Sequence, residues 1–277
     1  MEIIRQIDQL RQRLKGQGRV GFVPTMGYLH AGHMSLVERC IKENPISVVS
    51  IFVNPTQFGP NMDLDRYPRD MERDQALLEQ AGVDYLFYPA VEAIYPPGFA
   101  TWTEVEGLTE HLDGASRPGY FRGICTVVLK LFNIVRPDVA YFGQKDIQQA
   151  LVIRRMIADL HLEIDLTIMP TVREPEGLAM SSRNAYLNTE ERETALLLYR
   201  SLQVAKKLFD RGETRAAVVK QQVRQLLESG DGITVDYVEV VDLQDVQPVE
   251  SLGHGGCVAI AVDLNGTRLI DNIILEP

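Results

Sequence analysis

The sequence predicts an α/β fold in which a Rossmann-like, doubly wound parallel sheet is followed by a smaller α+β domain. Short runs of apolar and β-branched residues alternate with segments of helical periodicity over the first 170 residues, as strands and crossover helices do in a parallel sheet. Beyond Pro170 two long helical segments precede three strand-like runs. This change of pattern predicts a domain boundary near residue 176, with a Rossmann-like domain at 1–175 and a smaller C-terminal α+β domain at 176–277.

The elements of the parallel sheet follow from their residue patterns. Residues 2–15 have helical periodicity, a strand at 19–23 leads to a helix over 34–41, and the apolar run 47–53 is typical of a strand buried on both faces. The other elements predicted here are helices at 69–81, 126–135 and 147–159 and strands at 85–88 and 139–142. Residues 98–122, punctuated by glycine and proline, form an excursion from this core.

The second domain is predicted from a loop-rich stretch and a hairpin signal. Residues 171–188 lack clear periodicity. After them we expect helices at 189–211 and 214–228 and strands at 234–241, 258–262 and 269–274. The dipeptide Asn265-Gly266 between the last two runs is a strong signal for a two-residue hairpin turn.

Composition excludes several classes of function. The 277 residues carry 28 Lys and Arg against 38 Asp and Glu, a formal charge of −10, which argues against charge-driven wrapping of nucleic acid. The longest apolar run is far shorter than the roughly 20 residues of a membrane span. Cys40, Cys125 and Cys257 lack the spacing of a zinc site or a disulfide framework. We therefore expect a cytoplasmic protein without nucleic-acid or membrane partners and without a metal site built from its own side chains.

Two histidines stand where the first buried strand meets its helix. His30 and His33 are separated by Ala31 and Gly32, so both imidazoles can lie on one face of the helix start while Gly32 lets a ligand approach the backbone. Amide groups at such a junction are suited to binding an anion. A histidine pair that caps the helix and a pair of metal ligands are the alternative interpretations.

Two later segments offer cations and hydroxyl groups. Lys145, within Gly143-Gln144-Lys145-Asp146, precedes a helix whose dipole disfavours a cation unless a phosphate is bound there. The segment Met180-Ser181-Ser182-Arg183-Asn184 combines hydroxyls, a guanidinium and an amide suited to an oligophosphate. A solvated lysine beside a capping Asp146, and a plain turn, are the alternatives for these segments.

Gln57 and Gln149 lie near the ends of two different predicted strands. As neutral donors and acceptors they suit hydroxyl and carboxylate groups of a small substrate. Two ordinary surface glutamines are the alternative.

These motifs, in this order, resemble the pantothenate synthetase family of the nucleotidyltransferase superfamily, which includes the class I aminoacyl-tRNA synthetases. The superfamily features are the His-x-Gly-His turn and the Met-Ser-Ser-Arg segment about 150 residues later. The segments that resemble the family itself are 23–27, 50–58, 114–119, 121–123, 142–146, 181–184 and 268–272. Ala179 stands where synthetases of the K-M-S-K-S type have lysine, which shifts the cationic role to Arg183 and Lys145.

The resemblance implies an ATP-dependent ligase that joins (R)-pantoate to β-alanine through a pantoyl adenylate, releases AMP and pyrophosphate, uses Mg²⁺ and forms a homodimer. It implies that His33 donates a proton, that the Val172 backbone contacts adenine, and that Gln57 and Gln149 bind pantoate, with Gln57 later binding β-alanine. The catalytic residues expected are His30, His33, Lys145, Ser181, Ser182 and Arg183. The ATP-binding residues expected are Met26, Gly27, Tyr28, Leu29, His30, Ala31, Gly32, His33, Gly143, Gln144, Lys145, Asp146, Val172, Met180, Ser181, Ser182 and Arg183.

Two other functions remain compatible with the sequence. One is a nucleotidyltransferase that keeps the nucleotide on its product, and the other is a noncatalytic nucleotide- or RNA-binding protein with a synthetase-like fold. The acidic charge balance and the complete set of histidine, lysine, serine and arginine side chains argue against the noncatalytic protein, whereas release of free AMP on addition of β-alanine would separate the ligase from the other nucleotidyltransferase. Because an acyl adenylate hydrolyses readily, a loop that excludes water is expected, and residues 58–70 are the candidate lid.

Overall fold

The computed structural model describes residues 1–58 and 64–277, so part of the candidate lid lies outside the described residues. The chain divides into two compact units. The first comprises Met1–Val105, Arg117–Gly143 and Val152–Pro170, and the second comprises Glu106–Ser116, Gln144–Leu151 and Thr171–Pro277. The division predicted at 175/176 assigns 106–116 and 144–151 to the first domain, whereas their contacts group them with the second unit. The predicted division into two domains at 175/176 therefore stays a prediction.

The first unit contains a six-stranded sheet in which every neighbouring pair of strands runs parallel. Its strands are β1 (Glu2–Ile4), β2 (Val20–Thr25), β3 (Ile46–Ile51), β4 (Tyr85–Phe87), β5 (Val139–Gly143) and β6 (Asp165–Met169). The spatial order is β1-β4-β3-β2-β5-β6. The chain therefore builds outward in two directions from β2 and β5, which confirms the predicted doubly wound sheet and puts its switch point between these two strands.

Six of the helices belong wholly or partly to the first unit. They are α1 (Ile7–Leu14), α2 (Ala31–Glu43), α3 (Met71–Ala81), α4 (Val91–Ile94), α6 (Tyr120–Val135) and α7 (Ile147–Asp159), while α5 (Asp113–Ser116) belongs to the second unit. The first unit's core includes the buried residues of β2 and β3 together with Leu36, Val37 and Cys40 of α2 and Leu78 of α3. The helix α6 is buried along most of its length, which agrees with its mainly apolar sequence.

Two sequence-based expectations for this unit are wrong, and one strand was not predicted. Helical periodicity over 2–15 places residues 2–4 in a helix, but they form β1, because pairing with β4 outweighs a periodicity that three residues cannot establish. Helix α6 begins at Tyr120 rather than 126, after Gly119 in a left-handed conformation. Strand β6, which pairs with β5, is absent from the predicted elements.

The second unit packs two helices on an antiparallel sheet, as predicted. The helices are α8 (Thr189–Asp210) and α9 (Ala216–Leu227), and the strands are β7 (Ile233–Val241), β8 (Gly256–Leu264) and β9 (Thr267–Leu275), in the order β7-β8-β9. Asn265 and Gly266 join β8 to β9 with φ of 49° and 87°, the left-handed pair that such a hairpin turn requires. Across residues 1–58 and 64–277, no helix combines the length and the apolar character needed to cross a membrane.

The three cysteines are buried and unpaired. Burial raises the pKa of the thiols of Cys40, Cys125 and Cys257 to about 12 in each case. At neutral pH these side chains are thiols and pack as small apolar groups.

Candidate active site

The predicted site residues form two groups, one in each unit. The first unit contains Met26–His33, Gln57 and Gly143, and the second contains Gln144–Asp146, Gln149, Val172 and Met180–Arg183. Within the first unit, Met26–His33 follows the carboxyl end of β2, beside the switch point at which doubly wound sheets bind ligands. Gln57 follows the carboxyl end of the neighbouring strand β3.

A tight left-handed turn joins β2 to α2. Gly27 has φ of 83° and Tyr28 has φ of 52°, and the second value is costly for a residue with a side chain. The turn is held by Asp74 of α3, whose two carboxylate oxygens accept hydrogen bonds from the backbone N–H groups of Tyr28 at 2.6 Å and Leu29 at 2.7 Å. A Cβ atom at position 27 would lie 3.0 Å from the Asp74 Oδ2 atom.

The anion bound at this junction is the side chain of Asp74, a residue of the chain itself. The sequence predicts that backbone amides here can bind an anion. In the structure the N–H groups of Tyr28 and Leu29 donate to the Asp74 carboxylate. Asp74 is only 1% exposed. Burial raises the pKa of its carboxyl group, while the two backbone hydrogen bonds oppose that rise.

The two histidines form a reciprocal cap on α2. The Nδ1 atom of His30 accepts from the backbone N–H of Gly32 at 3.1 Å, and the Nδ1 atom of His33 accepts from the backbone N–H of His30 at 3.3 Å. Their ring centroids are 4.0 Å apart. Because each Nδ1 is an acceptor, a neutral ring carries its proton on Nε2. The helix-cap interpretation is therefore correct for the local geometry.

Gln57 is oriented by Asn54, which is 1% exposed. The Oδ1 atom of Asn54 accepts from Tyr95 Oη at 2.8 Å, which fixes the side-chain amide, and its Nδ2 atom donates to Gly123 O at 3.2 Å and to Gln57 Oε1 at 3.1 Å. Since Oε1 of Gln57 is engaged as an acceptor, the Nε2 group turns away from Asn54. Gln57 thus presents hydrogen-bond donors, which suit a carboxylate or hydroxyl oxygen.

The Gln57 turn is packed directly against α6. A Cβ atom added to Gly123 would lie 2.4 Å from Thr56 O and 3.0 Å from Gln57 N, so only glycine allows this approach. The position of Gln57 therefore depends on the absence of a side chain at residue 123.

In the second unit, Lys145 lies in a 3-10 turn, Gln144–Asp146, immediately before α7. The turn is held by Asn272 of β9, whose Nδ2 atom donates to the carbonyl oxygens of Gln144 at 2.8 Å and Lys145 at 3.0 Å. Gln149 lies within α7 and is half-buried, whereas its neighbour Gln148 is buried and bonds Leu108 O, His111 O and Asp113 N.

Val172 and Met180 are brought together at the base of one loop, where the Met180 N–H donates to Val172 O at 3.0 Å. Arg173 anchors that loop through two hydrogen bonds to the carboxylate of Asp271, at 2.6 and 2.9 Å. Its guanidinium also stacks over the ring of Tyr199 at 4.5 Å.

Ser181 begins the turn that contains the predicted phosphate-binding side chains. Its Oγ atom accepts from the backbone N–H of Arg183 at 3.3 Å, which caps the 3-10 helix Ser182–Tyr186. The next residue, Asn184, is buried and donates to Glu174 Oε1 at 3.0 Å and Ala179 O at 3.1 Å. The turn is therefore tied to the loop that holds Val172.

Sequence reasoning missed the residues that support both groups. Asp74 lies on the face of α3 that also carries Met71 and Leu78. Its helical spacing with these two apolar residues could have indicated a buried acidic side chain that needs hydrogen-bond partners. Asn272 is recognised from the sequence only as part of a family motif. A polar pair, Asp271-Asn272, within the otherwise apolar run from Leu269 to Leu275 was the corresponding signal.

A metal centre is not preformed in the described part of the chain. Among residues 1–58 and 64–277, no three His, Cys, Asp or Glu side chains come together as a group that could hold a metal ion. Among those residues the histidine pair has no third ligand of these types.

Comparison with known proteins places the chain among ligases. Residues 2–274 match the model of the family described as pantoate-beta-alanine ligase. The chain is 53% identical to the pantothenate synthetase of Thermotoga petrophila over 279 residues, covering 99% of this chain and 100% of that protein.

Two solved structures share this fold over nearly the whole chain. The crystal structure of pantothenate synthetase from Thermus thermophilus matches with a TM-score of 0.96 and 47% identity over 100% of both chains. The ligase from Francisella tularensis, complexed with β-γ ATP and β-alanine, matches with a TM-score of 0.82 and 34% identity, over 99% of this chain and 97% of that one.

Substituting Asp74 is expected to loosen the turn before the histidines. In Asp74→Asn one of the two acceptor oxygens is replaced by an NH2 group that faces a backbone N–H. Peptides covering residues 26–33 should therefore exchange their amide hydrogens at least about tenfold faster, measured by mass spectrometry. Asp70→Asn on the same helix is the control, because asparagine replaces aspartate well at a helix N-cap. Equal exchange in the two variants would contradict the role of Asp74.

Gly123→Ala should destabilise the protein, although Gly→Ala inside a helix ordinarily stabilises by up to about 1 kcal/mol. The added methyl group meets the backbone of Thr56 and Gln57, and such overpacking costs about 1–3 kcal/mol. Urea unfolding of the variant and the parent protein measures the difference. A gain in unfolding free energy would show that the turn moves aside freely.

Proposed function

Because the chain belongs to the pantoate-beta-alanine ligase family, we propose that the two groups of residues described above carry out that family's reaction. The protein condenses pantoate with β-alanine to pantothenate at the expense of ATP. The observation that carries this conclusion is the match of residues 2–274 to the family, with about half of the residues identical to a curated relative over its full length.

The chemistry proceeds in two displacements. A carboxylate oxygen of pantoate attacks the α-phosphorus of ATP, the bond from that phosphorus to the oxygen of the leaving pyrophosphate breaks, and pantoyl adenylate forms. The amine of β-alanine then attacks the acyl carbon, a proton leaves the nitrogen, and AMP departs with the electrons of the carbon–oxygen bond. Neither step requires a nucleophile from the protein. The protein positions the reactants and offsets negative charge on the phosphates.

His30 and His33 are proposed to stabilise charge at the α-phosphate. The backbone N–H groups bound to both Nδ1 atoms hold the Nε2–H tautomer, and we propose that the Nε2–H group of each neutral ring donates to the α-phosphate when ATP is bound. Donors that are already oriented stabilise a developing oxyanion without reorganisation in the transition state. This assignment makes His33 a hydrogen-bond donor first, and transfer of its proton is not required for adenylate formation.

Gln57 and Gln149 are proposed to bind the organic substrates. The Nε2 group of Gln57 faces away from Asn54 and is suited to a carboxylate or hydroxyl oxygen, which pantoate and β-alanine both supply. Gln149 is proposed to hold pantoate. The rigid support of Gln57 by Asn54 and Gly123 suits a residue that must serve two substrates in succession.

Lys145, Ser181, Ser182 and Arg183 are proposed to bind the phosphates of ATP, and the Val172 backbone its adenine. A cation, two hydroxyls and a guanidinium match the charge and the acceptor oxygens of a triphosphate. When Mg²⁺ is bound it supplies further neutralisation of the phosphates. We propose that Mg²⁺ would bind together with ATP, through its phosphate oxygens and water. A homodimer and a cytoplasmic location are proposed from the family resemblance.

The decisive experiment is isotope exchange between ATP and pyrophosphate. Exchange should require pantoate and should not require β-alanine, because adenylate formation precedes amide formation. Addition of β-alanine should release free AMP in amounts equal to pantothenate. Exchange without pantoate, or a nucleotide retained on the product, would overturn the proposed reaction.

The role of His33 can be tested by His33→Gln. Glutamine at the third helical position accepts from the cap residue's N–H in an ordinary capping box, and its Nε2 group donates outward, but it does not titrate. Single-turnover adenylate formation should fall less than about tenfold in His33→Gln and by roughly 100-fold or more in His33→Ala. The exposed His161→Gln is the control and should be unchanged. Equal losses in both His33 variants would assign proton transfer to His33.

A further inference from the structure

Strand β9 carries two buried polar residues in succession. Asp271 is 3% exposed and Asn272 is 2% exposed. The strand is otherwise mostly apolar between Leu269 and Leu275. Buried polar groups are costly unless they are fully hydrogen-bonded, so their partners show what they hold in place.

Asn272 makes three side-chain hydrogen bonds, all to the turn that carries Lys145. Its Nδ2 atom donates to Gln144 O at 2.8 Å and to Lys145 O at 3.0 Å, and its Oδ1 atom accepts from Gln144 Nε2 at 3.2 Å. Both hydrogens of the amide are therefore used on consecutive carbonyl groups. Two carbonyls bound to one planar amide fix the direction in which the Lys145 side chain leaves the backbone.

The adjacent residue, Asp271, holds a different segment. Its carboxylate accepts two hydrogen bonds from Arg173 and one from the backbone N–H of Asn272, the last at 2.8 Å. Arg173 also donates to Gly177 O at 3.1 Å. One strand thus binds the loop that joins Val172 to Met180 and the turn that carries Lys145, through neighbouring residues.

We propose that Asn272 is a positioning residue for Lys145 in adenylate formation, an inference that rests on the function proposed above. The amide of Asn272 does not contact the reactants. It acts by holding the Gln144–Asp146 turn at a fixed place relative to the Val172–Met180 loop, so that the lysine cation meets the phosphates. A displacement of such a group by about 1 Å is enough to cost roughly 100-fold in rate.

The test is a double-mutant cycle on pantoate-dependent ATP–pyrophosphate exchange. Asn272→Ala should lower kcat by about 10- to 100-fold, with little change in the KM for pantoate. Lys145→Ala should lower kcat at least as much. The double variant should be no slower than Lys145→Ala alone, because a residue that acts through lysine has nothing left to position.

Thr267→Val supplies the matched control, since Thr267 is a buried polar residue of the same strand, and its kcat should be unchanged. If Asn272→Ala does not fold, as judged by circular dichroism, Asn272→Ser takes its place in the cycle. Full activity in the Asn272 variant, or losses that multiply in the double variant, would overturn the proposal. Absence of exchange in the unmodified protein would instead overturn the proposed function.

Discussion

The bond between Asp74 and the turn at Tyr28 and Leu29 is the constraint on which the histidine pair depends. A left-handed Tyr28 is strained, and a buried carboxylate is costly to desolvate. Each feature compensates for the other, since the turn presents two amides in the direction of two oxygens. The start of α2, and with it the cap formed by His30 and His33, is therefore fixed by a helix that lies 46 residues away in sequence.

In the second unit the buried side chains that support site residues are either neutral or paired with an opposite charge. Asn272 uses a neutral amide to hold a turn, and Asp271 is paired with Arg173 through two bonds. A buried ion pair contributes little net stability once desolvation is counted, but its geometry is specific. In both units, buried polar side chains hold the turns that carry candidate site residues: Asp74 and Asn54 in the first unit and Asn272 in the second.

Contiguous patterns in the sequence predicted most of the fold. The alternation of strands and helices indicated the doubly wound sheet, and Asn265-Gly266 indicated the hairpin. The motifs around His30, Lys145 and Ser181 each lie within a few residues, so they were recognisable from one chain. Strand β1 was missed because three residues carry no periodicity, and its helical expectation failed once pairing with β4 decided the conformation.

The supports of the site were harder to predict because their partners are remote. Asn272 lies 128 residues from Gln144, and no local pattern states which carbonyl a buried amide will meet. Asp74 was recognisable only as an acidic residue on an apolar helix face, a signal that suggests burial but not a partner. The sequence shows which residue types are present, but it does not show which polar groups pair in space.

The buried cysteines have a practical consequence for experiments on motion. With thiol pKa values of about 12, Cys40, Cys125 and Cys257 hold a negligible fraction of reactive thiolate at neutral pH. A cysteine introduced at an exposed position such as Leu160, which is 47% exposed, would react with maleimide dyes far faster than the native three. The native chain is therefore a suitable background for single-site fluorescent labelling, without prior removal of its own sulfhydryl groups.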